Sequence, residues 1–324
     1  MAEAAERLAG AVRRTPVLQC RALDEAVGRH CLLKAENLQE TGAFKVRGAL
    51  SALSRLPGSA DVVTASAGNF GQGVAFGASR GGRRALVLVP EGTPTVKQRR
   101  IERFGGDVEV AGRNFDETYV LARQRAEREG KVFLPPFDHR RVIEGQGTVV
   151  RELLDEVGKL DLLLVPCGGG GLLAGAVLAA RDACPDLRLV AAEPASLPSL
   201  GAAMPRGRPL RLPAGDTLAD GVAVREVGRL PMKIVRRHVD AVLPVSETAI
   251  RHAIRLLALE AKQTVEGAGA IATAALLEHH ATADVFRGCR RIGVLVTGGN
   301  IDPGVLGAVL GESDGAYPGV DSLN

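Results

Sequence analysis

The sequence of 324 residues contains no tryptophan and only two tyrosines, and aromatic residues make up 3% of it. It has no basic tail and no aromatic residues interleaved with basic ones, so it lacks the pattern of a nucleic-acid-binding surface. The longest apolar run, LLAGAVLAA (172–180), is too short to cross a bilayer, which takes about 20 apolar residues. The first helical stretch, AEAAERLAGAVRR, lacks the apolar centre of a signal peptide, so we expect neither a membrane partner nor secretion.

The cysteines and histidines lack the spacing of a metal site. The five cysteines (Cys20, Cys31, Cys167, Cys184 and Cys289) are odd in number and contain no CxxC pair. This pattern indicates reduced thiols in a cytoplasmic protein, not a disulfide framework or a zinc site. The six histidines show no HExxH or comparable ligand spacing.

What the sequence does contain is the alternation typical of α/β proteins. Hydrophobic residues make up 46% and charged residues 24%, which is enough for a full core and a normal surface. Short apolar runs alternate with helical patterns, which predicts βαβ units and parallel-rich sheets. We predict two lobes, a large one from residues 1–51 and 141–324 and a small one from residues 52–140. A ligand cleft is expected between the carboxyl ends of their strands.

The stretch KAENLQETGAFKVRGA (34–49) carries the first candidate for chemistry, Lys45. The pattern predicts a helix that begins after Thr41, as its N-cap, and runs to about residue 56. Lys45 would then lie in the first turns, where a positive charge is unfavourable and the amine loses its proton more easily. Schiff-base chemistry with an aldehyde requires that neutral amine. A single lysine is more often a solvated surface charge, so this assignment needs partners.

Three glycine-bearing loops, each after a predicted strand, supply candidate partners. They are SAGNFGQG (66–73), CGGGGLLAG (167–175) and TGGN (297–300). Small residues before a helix leave backbone N–H groups exposed, which suits a carboxylate in the first loop and an anion in the second. The third loop places the hydroxyl of Thr297 at the end of a strand.

The second loop also fits a nicotinamide enzyme. Gly169-x-Gly171-x-x-Ala174 matches the dinucleotide fingerprint, and Glu193 closes the next strand about 20 residues on, as a ribose-binding acid would. An NAD-dependent oxidoreductase is therefore an alternative from another class, although it leaves Lys45 and the other two loops without a role. A third possibility is a cofactor-binding scaffold without turnover.

Taken together, the motifs TGAFKVRGA, SAGNFGQGVA, VIEGQGT, GGGGLLAG, LADGVAV, VEGAGA and TGGNID resemble, in order, those of fold-type II pyridoxal-phosphate (PLP) enzymes. The closest resemblance is to the serine/threonine dehydratases (ammonia-lyases) and the serine racemases. It implies a two-lobed, tryptophan-synthase-β-like α/β fold, pyridoxal 5'-phosphate as cofactor and a homo-oligomer such as a dimer. The implied reaction is β-elimination on a small β-hydroxy-amino acid, L-threonine or L-serine, to give a 2-oxo acid and ammonia.

By position, the resemblance implies that Lys45 binds the cofactor covalently and then acts as the base at the substrate Cα. Asn69 would donate a hydrogen bond to the ring hydroxyl, and Thr297 would bond the pyridine nitrogen. Because Thr297 is a neutral partner, it would not force protonation of that nitrogen. The other implied contacts are the cofactor ring and phosphate (Phe44, Gly168, Gly169, Gly170, Gly171, Leu172) and the substrate (Ser66, Ala67, Gly68, Asn69, Phe70).

Several positions depart from the family pattern. Ala67 stands where racemases have a serine, so we expect little racemisation. Phe70 replaces a histidine, and Glu144 is expected to add a carboxylate close to the cleft. These two changes keep 3-hydroxyaspartate and aryl-serines open as substrates. Family metal sites pair a glutamate with an acid six residues on. Here Glu193 meets Ser199, so no metal is expected, with Glu193 as a weak candidate ligand.

The end of the sequence carries two further expectations. The stretch GESDGAYPGVDSLN (311–324) reads as a loose tail. No regulatory domain of the kind found in biosynthetic threonine dehydratases is expected after TGGN.

Overall fold

The computed structural model describes residues 2–58 and 60–312, and their strands form one sheet of six and one of four. The strands of the six-stranded sheet are β1 (Val17–Leu18), β2 (His30–Ala35), β7 (Leu162–Pro166), β8 (Arg188–Pro194), β9 (Ala241–Val245) and β10 (Arg291–Val296). Their order is β1-β2-β10-β7-β8-β9, in which only the pairing of β1 with β2 is antiparallel. The predicted α/β class with parallel-rich sheets is therefore confirmed.

The strands of the four-stranded sheet are β3 (Val62–Ala65), β4 (Ala85–Val89), β5 (Asp107–Val110) and β6 (Val132–Phe133). This sheet is parallel throughout, in the order β5-β4-β3-β6. This sheet comes from residues 62–133, whereas the larger sheet comes from residues 17–35 and 162–296. The exact boundaries proposed for the two lobes stay a prediction.

Helices cover both faces of the larger sheet, because its strands are apolar on both sides. The helices are α1 (Ala2–Leu8), α2 (Arg21–Val27), α3 (Lys45–Leu53), α4 (Asn69–Arg80), α5 (Thr95–Arg103), α6 (Phe115–Glu129), α7 (Arg140–Val157), α8 (Gly171–Ala183), α9 (Ser199–Ala203), α10 (Arg229–Val235), α11 (Glu247–Leu259), α12 (Gly267–His279) and α13 (Pro303–Gly311). One apolar cluster joins the larger sheet to α2, α11, α12 and α13, and another joins its opposite face to α7, α8, α9 and α10. None of the helices in residues 2–58 and 60–312 is long and apolar enough to cross a membrane. The predicted loose tail lies outside the described residues, except for residues 311 and 312.

The helix predicted from Thr41 begins instead at Lys45 and ends at Leu53. Gly42 has a φ of +74°, a left-handed conformation that a helix does not admit. Ala43 then forms an isolated antiparallel bridge with Gly298. The prediction that Thr41 is the N-cap is therefore wrong, and Lys45 occupies the first position of α3, held against the TGGN loop.

A buried ionic network fixes α3 in the fold. Arg47 is fully buried, and its guanidinium donates two hydrogen bonds of 2.8 Å to Glu36 and two, of 2.6 and 2.8 Å, to Glu152. Burial alone would raise the pKa of Glu36, but the charge of Arg47 holds that pKa below its ordinary value. Because Glu36 follows β2 and Glu152 lies on α7, the network sets the direction of α3 and therefore of Lys45.

Candidate active site

A cavity of about 290 Å³ lies at the carboxyl ends of the strands of both sheets. This is the edge at which parallel α/β sheets place their ligands. The loop after β3 forms one wall, and Lys45, Glu266 and Asn300 form another. Behind Lys45 the cavity continues into a narrow recess whose lining includes residues 168–172, Phe44 and Thr297. Every predicted cofactor and substrate residue lines the cavity or its recess.

Lys45 occupies the point where the cavity and the recess meet. Its side chain is partly buried, and the ammonium nitrogen lies 5.2 Å from the centre of the Phe44 ring. Burial lowers the pKa of Lys45 to about 8, opposed by the negative charge of Glu266. The direction of this shift is the one predicted from the sequence, but its main cause is loss of water and not the helix terminus.

Glu266 is a functional candidate that sequence reasoning missed. It directly precedes α12, is 8% exposed, and accepts a 2.6 Å hydrogen bond from Nδ2 of Asn69. Burial, reinforced by the charge of Asp220, raises the pKa of Glu266 to about 7, against the opposing hydrogen bond from Asn69. The sequence feature that could have identified Glu266 is its position as the single acid in the apolar, small-residue stretch VEGAGAIATAALL, where a carboxylate is expected to be buried.

The recess is shaped by the glycine loop. A methyl group on Gly169 would lie 2.3 Å from the ring of Phe137, and Gly170 has a φ of +84°. Larger residues would therefore fill the recess or strain the loop. The loop opens into α8, whose first-turn N–H groups have no partner within the helix and point to an anion. This recess fits a phosphate group.

Thr297 follows β10 and is buried beside the recess. Its hydroxyl donates a 3.0 Å hydrogen bond to the carbonyl of Ala268. Donation to a ring nitrogen, the role predicted for this hydroxyl, would use the same proton.

The predicted substrate residues lie on the other wall. The N–H of Gly68 donates to the hydroxyl of Ser66 at 3.3 Å, and Ala67 adjoins them without a polar side chain. Asn69 begins α4, so the amides of its first turn have no partner within the helix and suit a carboxylate. Phe70 is 2% exposed and contributes an apolar surface to the wall.

Two cations of α5, not predicted from the sequence, also line the cavity. Lys97 forms a 2.5 Å ion pair with Asp220. Arg100 donates hydrogen bonds to the main-chain carbonyls of Asn300 (2.7 Å) and Ile301 (3.2 Å). These contacts join the small-sheet side of the cavity to the large-sheet side.

Glu144 does not lie where the sequence predicted. It is paired with Arg140 at 2.8 Å in a groove that also contains Glu3 and Arg55, and it is absent from the lining of the Lys45 cavity. The reason is its position on α7. The face of α7 that carries the apolar residues packs on α3 and α8, and Glu144 is on another face.

Glu193 is likewise absent from the lining of the cavity. Its two carboxylate oxygens accept 2.8 Å hydrogen bonds from the N–H groups of Leu200 and Gly201. Burial raises its pKa to about 7, against those two hydrogen bonds. In residues 2–58 and 60–312 no group of three or more His, Cys, Asp or Glu side chains could hold a metal ion. Glu193 thus stabilises the start of α9 and lies outside the lining of both the cavity and the glycine recess.

The fold and the site define a class of protein, namely an α/β protein whose cleft would hold a phosphorylated aldehyde cofactor. The phosphate would lie in the glycine recess, and the aldehyde would meet the amine of Lys45, whose pKa is lowered to about 8.

Comparison with known proteins gives the same result. Residues 8–298 match the family model "Pyridoxal-phosphate dependent enzyme". The chain is 42% identical over 311 residues to L-threonine ammonia-lyase of Geobacter sulfurreducens, covering 95% of this chain and 76% of that protein. It is 37% identical over 303 residues to L-threo-3-hydroxyaspartate ammonia-lyase of a Pseudomonas species, covering 93% and 94%. The structure of maize serine racemase matches with a TM-score of 0.91 at 35% identity, covering 95% of this chain and 94% of that chain.

The chain therefore belongs to the family of pyridoxal-phosphate-dependent enzymes. The resemblance read from the ordered motifs, the fold-type II architecture and the PLP cofactor are confirmed. The nicotinamide alternative is excluded by this membership. The roles assigned to individual site residues stay predictions.

Proposed function

We propose that this protein is a PLP-dependent ammonia-lyase that converts L-threonine or L-serine to the corresponding 2-oxo acid and ammonia. The observation that carries the proposal is the position of Lys45, an amine with a pKa of about 8 at the junction of a glycine recess and a carboxylate-binding wall. The relatedness to L-threonine ammonia-lyase over 95% of the chain supports the same reaction.

Lys45, the recess at residues 168–172 and Thr297 are the residues that would hold the cofactor. When bound, the cofactor supplies an electron sink that allows the Cα proton and the β-hydroxyl of a substrate to leave. The reaction releases water and then consumes one water molecule, so its net products are the 2-oxo acid and ammonia.

Lys45 is suited to moving the Cα proton. A base works best with a pKa near the working pH, and burial brings the pKa of this amine from its ordinary value to about 8. Glu266, with a pKa of about 7, lines the same cavity, and its negative charge favours the ammonium that forms on Lys45. Asn69 lines both the cavity and the recess, and it donates a hydrogen bond to Glu266. It therefore links the place proposed for the cofactor with the acid that faces Lys45.

The wall at residues 66–70 would orient the substrate by its carboxylate. The first-turn amides of α4 and the hydroxyl of Ser66 provide donors there. The side chain of Ala67 provides no acid/base group on that wall. The proposed reaction is therefore elimination rather than racemisation, which needs an acid/base group on each face of Cα.

A second candidate substrate is L-threo-3-hydroxyaspartate. Lys97 and Arg100 line the cavity and could attract a second carboxylate, and one relative at 37% identity is named for that activity. Threonine or serine remains the first proposal because both cations already have partners, Lys97 in Asp220 and Arg100 in two main-chain carbonyls.

The proposal is tested by loading the purified protein with PLP and measuring 2-oxo acid release from L-threonine, L-serine, L-threo-3-hydroxyaspartate and a phenylserine. We expect a visible absorption band and turnover of threonine or serine. Both should be lost in Lys45→Ala and retained in Lys131→Ala, a lysine outside the cavity that is paired with Glu129. A protein that binds PLP but releases no 2-oxo acid from any of the four would instead be a scaffold without this activity.

We further propose that the protein works in the cytoplasm as a homodimer, with residues 52–140 as its small domain and residues 1–51 and 141–324 as its large one. The presence of all five cysteines as free thiols supports a reducing compartment. Sedimentation analysis of the loaded protein tests the dimer.

A further inference from the structure

The side-chain amides of Asn300 and Asn69 form a chain of hydrogen bonds along the cavity lining. The chain runs from Thr41, in the segment before α3, to Glu266. Nδ2 of Asn300 donates to the main-chain carbonyl of Thr41 at 2.8 Å and to Oδ1 of Asn69 at 2.8 Å. It also lies 3.4 Å from Oε1 of Gln72. Nδ2 of Asn69 in turn donates to Oε1 of Glu266 at 2.6 Å.

The direction of this chain is fixed at its outer end. A main-chain carbonyl can only accept a hydrogen bond, so the amide group of Asn300 must turn its nitrogen toward Thr41. The atom of Asn69 that meets this nitrogen must then be its oxygen. Asn69 consequently presents its N–H group, and not its carbonyl, to Glu266 and to the space beside Lys45.

The backbone around Asn300 is held from two sides. Arg100 donates from α5 to the carbonyls of Asn300 and Ile301, at 2.7 and 3.2 Å. On the other side, the N–H of Gly299 donates to the carbonyl of Gly42 at 2.9 Å. Asn300 is thus a fixed support for Asn69, not a mobile side chain that adapts to it.

We propose that Asn300 is a positioning residue, which orients the amide of Asn69 so that a hydrogen-bond donor faces the cofactor. The proposal rests on the proposed function and on the role that the resemblance implies for Asn69, a hydrogen bond donated to the cofactor's ring hydroxyl. A reversed Asn69 would turn an acceptor toward that oxygen and toward the carboxylate of Glu266, and an unmatched polar contact in a buried site is costly.

The test is the variant Asn300→Asp, which keeps the shape of the side chain but removes its N–H group. A carboxylate at this position can only accept, so it would draw Nδ2 of Asn69 toward itself and reverse the amide. We expect the dissociation constant for PLP, measured by titrating the visible band, to rise at least about tenfold. The position of the band should change as well.

A double-mutant cycle separates positioning from general structural support. If Asn300 acts through Asn69, Asn300→Asp should have no further effect on PLP affinity in an Asn69→Ala background. An equal loss of affinity in both backgrounds, or no loss in either, would overturn the proposal. Should Asn300→Asp fail to fold, Asn300→Ala serves in the same cycle with the same expected pattern.

Asn37→Asp is the matched control. The amide of Asn37 also donates to a main-chain carbonyl, that of Thr264, at 3.3 Å, but Asn37 does not line the cavity. We expect its replacement to leave PLP affinity within about twofold of the unmodified protein. A wild-type protein that fails to bind PLP would contradict the proposed function itself, whereas PLP binding unaffected by Asn300→Asp would contradict only this inference.

Discussion

The lowered pKa of Lys45 makes a quantitative prediction about how the protein captures its cofactor. Only a neutral amine attacks an aldehyde. With a pKa of about 8, Lys45 is about 9% neutral at pH 7, whereas a lysine at the ordinary value of about 10.4 is about 0.04% neutral. Burial therefore increases the reactive fraction about 200-fold at neutral pH.

The assay is the rate at which the cofactor-free protein regains its visible band after PLP is added, measured between pH 6 and pH 10. Since the lowered pKa keeps the charged form favoured only below about 8, the rate should rise through pH 7–9 and then level off. A midpoint at pH 10 or above would refute the argument that burial activates this lysine.

The variant Glu266→Gln tests how the charge of Glu266 changes the pKa of Lys45. The charge of Glu266 raises the pKa of Lys45, so its removal should move the midpoint below that of the unmodified protein. Glu144→Gln, which makes the same chemical change outside the cavity, should leave the midpoint unchanged. A shift to higher pH in Glu266→Gln would show that the two groups do not interact as the structure indicates.

Three further predictions follow from other parts of the structure. Arg47→Ala leaves the buried carboxylate of Glu36 without its ion-pair partner and should lower the free energy of unfolding by about 3–5 kcal/mol, measured by urea denaturation. Arg55→Ala, which breaks an exposed pair, should cost about 1 kcal/mol or less. Chelators should change turnover little, whereas the turnover of Ser199→Asp should increase when magnesium is added. A severalfold loss of wild-type turnover in chelator, restored by magnesium, would contradict this. Wild-type protein should form almost no D-serine from L-serine, and Ala67→Ser should raise that fraction without abolishing elimination, as followed by chiral chromatography.

The sequence was sufficient for the elements whose geometry is local. Apolar runs of strand length alternating with helical patterns predicted the two parallel-rich sheets, and glycine-rich turns after three of the strands predicted the loops that form the site. Since parallel strands end at the same edge of a sheet, those loops were expected to converge, and they line one cavity with its recess. The ordered motifs were sufficient for the family because several of them together are far more specific than any single fingerprint.

The errors have long-range causes. The helix at Thr41 was displaced because Ala43 pairs with Gly298, a residue more than 250 positions away along the chain. Glu144 was expected near the cleft because its motif, IEGQGT, is one of the family motifs. However, α7 packs against α3 and α8, and none of its residues lines the cavity or the recess. Neither contact leaves a signal in the neighbouring sequence.

The sequence by itself thus determined the α/β class, the family and the cofactor, because these depend on residue types and on their order along the chain. It also predicted Lys45 as the lysine that binds this cofactor. Only the tertiary structure decided the electrostatics of the site. The pKa values of Lys45 and Glu266 depend on how much water each has lost and on their mutual charge. The orientation of Asn69 depends on Asn300, whose amide nitrogen donates both to the carbonyl of Thr41 and to Oδ1 of Asn69. Burial and hydrogen-bond direction arise only when segments distant in sequence are packed together, which is why no local pattern could predict them.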